Sequence, residues 1–373
     1  MKKTGKTDDT KETGSVRKIL RVVLIVLAAL IVIAAAYFAY VLIDYHRIGD
    51  MPLTVENSPT AQAQTDTEYT ILSWNIGFGA YEPDFGFFMD GGTESWAFSR
   101  ERLQSNLTMI ASRLQKQNAD LYILQEADTD STRTYHLDER QMLQEAMSGM
   151  GSVFAQNYDS PFLMYPLTQP HGASKSGVLT LSPFAMTEAS RVELPVETGL
   201  SRLLDLDRCY SKTRIPVEGG SDLVLYNFHL SAYTTNPDTA NRQLGLLLDD
   251  MQAEYEAGNW CLAGGDFNKD LLGDSSQYFH VPAEDYGWAK PLPEGLFDKY
   301  AISLAAPLDE EHPVPSCRNA DGPYRVGQFL VTIDGFLVSD NVEALDARVV
   351  DTSFANSDHN PVELDFKLIP AGM

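Results

Sequence analysis

The sequence predicts an α/β (α+β) chain in which two packed β-sheets carry helices on their outer faces, preceded by one transmembrane helix. Three observations lead there. An uncharged run near the N-terminus is long enough to span a bilayer. Segments rich in β-branched and aromatic residues then alternate with two amphipathic helical patterns. Finally, 373 residues with 44% hydrophobic content are ample for a large core.

Residues 1–21 form a basic tail with seven Lys/Arg against three Asp/Glu, a local balance of +4. The run "VVLIVLAALIVIAAAYFAYVLI" (22–43) follows, and its 22 residues match the roughly 20 that a bilayer core requires of a helix. A cleaved signal peptide usually has a shorter apolar region of about 7–15 residues and a small-residue cleavage site, so an anchor is the expected reading. Cations concentrate before the run, which places the tail in the cytoplasm and everything after Asp44 outside the cell membrane. Residues 44–68 are polar and without period, and read as a tether. The folded body is expected over 69–370.

Within that body, "YTILSWN" (69–75) reads as a buried strand. Leu103, Leu107, Ile110 and Leu114 then mark a helix over 100–116. Further strands are expected at 120–126, 177–182, 212–217, 223–230 and 260–268. Between the last two lies a helix capped by Asn236, started by Pro237, striped by Leu244, Leu247, Leu248, Met251 and Tyr255, and stopped by Gly258. Closing strands fall at 328–339 and 361–368. Cys209, Cys261 and Cys317 are too few and too scattered for a disulfide framework or a zinc site, and read as core thiols.

Several of these strands end on a polar residue: Asn75, Glu126, Asn227, His229, Asp266, Asn268, Asp334 and, in "SDHNP", His359. Any one alone reads as a turn residue or a solvated strand end. Together they describe rigid strands delivering oxygen ligands and imidazoles to one rim. Such a set, rich in oxygen and free of cysteine, suits Mg²⁺, Mn²⁺ or Ca²⁺ better than zinc.

"SWNIG", "LQE", "GVLTLS", "NFHLS", "GGDFN", "IDGFLVS" and "SDHNP" occur here in the order found in the endonuclease/exonuclease/phosphatase superfamily, which the chain resembles over about residues 69–368. That superfamily includes deoxyribonucleases, abasic-site endonucleases, neutral sphingomyelinases and inositol-polyphosphate phosphatases. The resemblance implies a four-layer sandwich of two mixed β-sheets flanked by helices, and a membrane-anchored, bacterial-type, metal-dependent phosphoric ester hydrolase. It makes Glu126, Asn75 and Asp358 metal-side residues. Asp266 and Asn268 orient water and hold phosphoryl oxygens, Asp334 fixes the tautomer of His359, and His229 donates to the phosphate or leaving oxygen. Asn227, Lys175 and Arg208 are substrate candidates; apart from the resemblance, Lys175, Arg202, Arg208, Lys212 and Arg214 read either as cations that clamp a substrate phosphate or as ordinary surface charges.

The −28 left on residues 22–373 repels polyanions, so no stable nucleic-acid complex is expected. A small phosphodiester or lipid headgroup is the preferred substrate and a monomer the expected state. A nuclease acting on extracellular nucleic acid is the alternative, and a non-catalytic binding protein on the same fold is a further one. The aromatic stretch 78–98 reads as a self-packed loop or as a rim gripping an apolar or planar group. Protease added to intact cells is expected to remove everything after Asp44 while an N-terminal tag stays protected. Protection of the whole chain would reverse this orientation.

Overall fold

A computed structural model describes residues 9–197, 206–232, 238–281 and 289–370. Asn236, Pro237 and Arg202 lie outside the described residues. The chain divides into two compact units at His46 and Arg47. The first holds one helix, α1 (Asp9–Asp44), of which Val16–Asp44 is long and apolar enough to cross a membrane.

In chain order the second unit contains β1 (Met51–Pro52), β2 (Val55–Glu56), β3 (Glu68–Asn75), α2 (Arg100–Gln117), β4 (Leu121–Asp128), α3 (Glu139–Ala146), β5 (Gly151–Asp159), β6 (Lys175–Ser182), β7 (Glu188–Glu193), β8 (Cys209–Pro216), β9 (Asp222–His229), α4 (Asp238–Glu256) and β10 (Trp260–Asp266). It continues with α5 (Ser275–Phe279), β11 (Ile302–Ala305), β12 (Cys317–Arg318), β13 (Leu330–Val331), β14 (Asp334–Ser339), β15 (Val342–Val349) and β16 (Val362–Leu368). One seven-stranded sheet runs β15-β16-β3-β4-β6-β5-β2, the other β11-β14-β10-β9-β8-β7-β1, and β12 and β13 form a small pair.

Side-chain alternation builds the layers. Ile71, Ile123, Leu225, Leu262, Phe336 and Leu364 share the core between the sheets. Their neighbours Leu72, Trp74 and Leu124 join the α2 stripe of Leu103, Leu107, Ile110 and Leu114. On the opposite side Val224, Tyr226 and Ala263 meet Leu244, Leu247, Leu248 and Met251 of α4. The result is helix, sheet, sheet, helix. Ser99 caps α2 by accepting from Arg102 N at 3.1 Å, and Asn118 ends it in the left-handed region.

The tether expected over 44–68 is corrected. Met51 and Pro52 pair with β7, Val55 and Glu56 pair with β5, and Ala63 bridges Val217. Short edge strands separated by polar residues leave no periodicity for sequence reading to detect. The strand expected over 328–339 is broken between Val331 and Asp334, and its two pieces lie in different sheets.

Lys212 and Arg214 face α4 instead of a substrate. Lys212 Nζ lies 2.6 Å from both Asp250 Oδ1 and Glu254 Oε1, and Arg214 Nη2 lies 2.6 Å from Glu254 Oε1. Burial pushes the Glu254 carboxyl up, but the two cations outweigh it and hold the group below its ordinary range. The stability this adds is present above the unfolded pKa of about 4.3 and is lost as pH falls through the depressed value. Glu254→Gln is expected to lower unfolding free energy by about 1 kcal/mol at neutral pH. Denaturant titrations should show the gap closing below about pH 4; a gap independent of pH would contradict the assignment.

Candidate active site

The site follows from how the two sheets are wired. β3 and β4 run parallel in one sheet, β9 and β10 parallel in the other, so four chain ends emerge at one rim bearing Asn75, Glu126, His229 and Asp266. The antiparallel partners begin there too. Asp334 opens β14 opposite Asp266, and His359 precedes β16, whose Val362 pairs with Ser73.

Local chemistry shapes each end. A register slip between Leu124 and Ala127 and a left-handed Glu126 (φ 58°) re-aim that carboxylate off its strand. In "GGDFN", Gly265 has φ 149°, and a Cβ there would sit 2.0 Å from Phe228 O on the neighbouring strand, so only glycine lets β9 and β10 approach. "SDHNP" is pinned by its own serine: Ser357 Oγ donates to Asn75 O at 2.8 Å and accepts from His359 N at 3.1 Å. Trp74 Nε1 donates to His359 O at 2.9 Å.

Seven of the eight residues expected to act on metal or phosphate line one pocket: Asn75, Glu126, His229, Asp266, Asn268, Asp358 and His359. Asp334 stands behind His359, its Oδ2 2.8 Å from Nδ1. That contact leaves Nε2 on the pocket side, 3.8 Å from Asp266 Oδ2. Burial opposes charge on His359, yet the Asp334 carboxylate prevails and holds its pKa well above the ordinary histidine range. His229 goes the other way: burial, then Arg208 and His359, push it well below that range, so its ring is neutral. His229 Nε2 lies 3.5 Å from Asp266 Oδ2.

Two donor sets suit a cation. Asp266, Asp334 and His359 have ligand atoms within 4.8 Å of one another. His359 Nδ1 and Asp334 Oδ2 are already engaged with each other, and that geometry serves proton handling better. Glu126, Asp358 and Asn75 are oxygen donors, and among the described residues no Lys or Arg forms an ion pair with either carboxylate. Burial pushes Asp358 up to about 6; the charges of His359 and Arg318 act against that rise and Glu126 adds to it. Two such oxygen acids without a bridging cation fit a hard divalent ion such as Mg²⁺, Mn²⁺ or Ca²⁺.

The substrate candidates divide. Arg208 lines the pocket, its Nη1 donating to His229 O at 3.2 Å. Lys175 is exposed at the start of β6 and is absent from the lining. Asn227 is corrected to an inter-sheet role: its amide donates to Leu124 O and Leu179 O at 3.2 and 3.1 Å, and its oxygen accepts from Gln125. Asn268 also spends its amide internally, on Leu230 O at 2.8 Å. The aromatic stretch packs on itself and also borders the pocket. Phe78, Tyr81, Phe85 and Phe87 pack together, while Phe78, Tyr81, Phe87 and Met89 show a face to the pocket.

Sequence reading missed the segment Ser316–Cys317–Arg318. Ser316 Oγ donates to Asp334 Oδ2 at 2.7 Å and accepts from Ile333 N and Asp334 N. Cys317 Sγ sits 3.5 Å from His359 Nε2, and Arg318 N donates to Asp358 O. A two-residue strand has no periodicity to announce it. All three cysteines are free and buried, as their spacing implies.

Residues 72–359 match the model of the Endonuclease/Exonuclease/phosphatase family. No curated protein matches. Among solved structures, the endonuclease/exonuclease/phosphatase from Beutenbergia cavernae is similar at 19% identity and a TM-score of 0.53, over 82% of this chain and 72% of that one. ANGEL2, a 2′,3′-cyclic phosphatase, is similar at 14% identity and 0.54, over 85% and 99%. The human Nocturnin catalytic domain is similar at 18% identity and 0.50, over 85% and 97%. At these identities the likeness concerns the fold.

If Asp334 acts through His359, the two form one unit. His359→Ala is expected to slow phosphodiester turnover on the order of 10²–10⁴-fold. Adding Asp334→Ala should then cost little more. A double mutant whose loss equals the product of the single losses would separate the two residues.

Proposed function

The chain belongs to the Endonuclease/Exonuclease/phosphatase family, and on that premise we propose that it is a membrane-anchored, extracytoplasmic phosphodiesterase acting on a small phosphodiester or lipid headgroup. It is a metal-dependent phosphoric ester hydrolase, as the family is. The observation that carries the finer reading is the meeting of the oxygen donors Asn75, Glu126 and Asp358 with the Asp334–His359 pair in one pocket, with Asp266 between them. ANGEL2 was solved with adenosine-2′,3′-vanadate and Nocturnin with a sulfate anion, which agrees with a phosphoester at this site. The acidic body supports a small substrate over a duplex.

On this reading, Glu126, Asp358 and Asn75 would hold a divalent cation, which would supply charge neutralisation at the phosphoryl oxygens. In its neutral form, whose share grows as pH rises because Asp334 lifts its pKa, His359 takes a proton from the attacking water at Nε2, with its ring fixed at Nδ1 by Asp334. Neutral His229 donates a hydrogen bond toward the phosphate oxygen or the departing group. Asn75 donates to Glu126 Oε1 and Asp266 Oδ2, both at 3.1 Å, and so keeps the cation side in register with the proton side. The catalytic unit begins at Arg47, since residues beyond it already belong to the sheets, and the apolar helix serves as anchor.

The test uses the full chain in detergent micelles with bis-(p-nitrophenyl) phosphate, a sphingomyelin-type ester, a phosphoinositide and plasmid DNA. Hydrolysis of at least one small ester or lipid is expected with Mg²⁺ and should vanish in chelator. Glu126→Gln, which removes the ligand's charge, should cost on the order of 10²–10³-fold, equivalent to the several kcal/mol that metal neutralisation supplies. Full turnover in excess chelator would overturn the metal assignment, and turnover of DNA alone would overturn the substrate.

A further inference from the structure

The reaction end occupies only part of the pocket. Its other wall is built where β5, β6 and β8 meet. The pairing of β5 with β6 slips between Gln156 and Tyr158, leaving Asn157 as the extra residue, while Ser176 pairs with Tyr158. Residue 208 is brought against this bulge from the facing sheet. Asp159 N donates to Asp207 Oδ2 at 3.3 Å, and Cys209 Sγ lies 3.8 Å from Gln156 O. Asn157, Ser176 and Arg208 all line the pocket that holds Glu126 and His359.

Asn157 is 1% exposed and Ser176 2%, yet Asn157 Nδ2 and Ser176 Oγ have no hydrogen-bond partner among the described residues. A buried donor left unmade is destabilising, and most such groups in folded proteins are satisfied. Two neighbouring ones facing a cavity therefore point to a ligand that completes them. Beside them Arg208, 5% exposed, brings a guanidinium into the same cavity. Two neutral donors and a cation recognise an oxyanion. Of the pocket's acids, Glu126, Asp266 and Asp358 belong instead to the reaction end, and Asp90 is the fourth.

We propose that Asn157, Ser176 and Arg208 form a second oxyanion subsite, which takes a phosphate group carried by the substrate in addition to the one hydrolysed. The proposal rests on the reading of the pocket as a phosphoester site and narrows it to bisphosphorylated substrates. Arg208 couples the two ends, since its Nη1 donates to the backbone carbonyl of His229. The second phosphate has two sources of the same chemistry, a nucleotide and a phosphorylated inositol headgroup.

The experiment uses the full chain in micelles with Mg²⁺ and two substrate pairs, each differing by one phosphate. The first is thymidine 5′-(p-nitrophenyl phosphate) with and without a 3′-phosphate. The second is dioctanoyl phosphatidylinositol with and without a 4-phosphate. In at least one pair the additional phosphate is expected to raise kcat/KM on the order of tenfold or more. The pair that responds identifies the source. That ratio should collapse toward unity in Asn157→Ala and separately in Ser176→Ala, two small truncations whose thermal midpoints report that the protein is folded. Protection against thermal unfolding by thymidine 3′,5′-bisphosphate, read in parallel, needs no turnover and should weaken in the same variants. Turnover with equal kcat/KM within both pairs, or variants that leave the ratio intact, would overturn the subsite while leaving the hydrolase reading in place. Absence of turnover of every ester, with bisphosphate protection lost in the variants, would overturn the substrate reading and keep the subsite. Absence of both turnover and protection would overturn both.

Discussion

One side-chain amide ties this molecule's candidate active site together. Asn75 Nδ2 donates at 3.1 Å to Glu126 Oε1 in its own sheet and at 3.1 Å to Asp266 Oδ2 in the facing sheet, while Asn75 Oδ1 accepts from Gly77 N. The amide thus touches two acids whose mutual repulsion would otherwise spread the rim. Burial and the neighbouring Asp334 push Asp266 up to about 7, and the amide, as a donor to the ionised form, acts against that rise. A carboxylate at position 75 would add a third negative charge, and a leucine would leave both acids without their donor.

That arrangement depends on the near-equivalence of the two sheets. In each, a parallel pair lies inside antiparallel neighbours: β3 and β4 between β16 and β6, β9 and β10 between β8 and β14. Packed through Ile71, Ile123, Leu225 and Leu262, the pairs end together and the chain re-enters at the same rim. Gln125 and Asn227 form a polar pin within this interface at 2.9 Å. Each uses the other and nearby carbonyls as partners, so a polar contact persists in an apolar layer.

Long apolar periods were the legible part of the sequence. Leu103 to Leu114 and Leu244 to Met251 announced α2 and α4, and the runs ending at Asn75, Glu126, His229 and Asp266 announced the strands that build the rim. β15 escaped notice because Glu343, Ala344, Leu345 and Asp346 are exposed on an edge and follow no buried alternation. β5 escaped because its bulge at Asn157 breaks the period that would reveal it, and the same irregularity turns Asn157 into the pocket. Ser316 is invisible for a different reason. Its contact with Asp334 spans 18 residues and involves no repeating pattern.

The departures from local rules therefore gather where the chemistry does. Glu126 and Asn268 adopt left-handed backbone that ordinary residues avoid, β4 and β5 are bulged, and Asp266 and Asp334 are acids buried at one rim. The strained and buried ones are locally unfavourable, and the inter-sheet core with its two outer helical layers supplies the stability that holds them. This explains a division of labour within single strands. In β4 the residues from Leu121 to Leu124 are fully buried packing, while Glu126, two residues further on, is partly exposed, strained and aimed at the pocket. A strand that stayed regular to its end would return residue 126 to the pleat, and the acid would leave the pocket for a sheet face. The irregular final turn is thus the means by which a rigid sheet presents a carboxylate off its own plane.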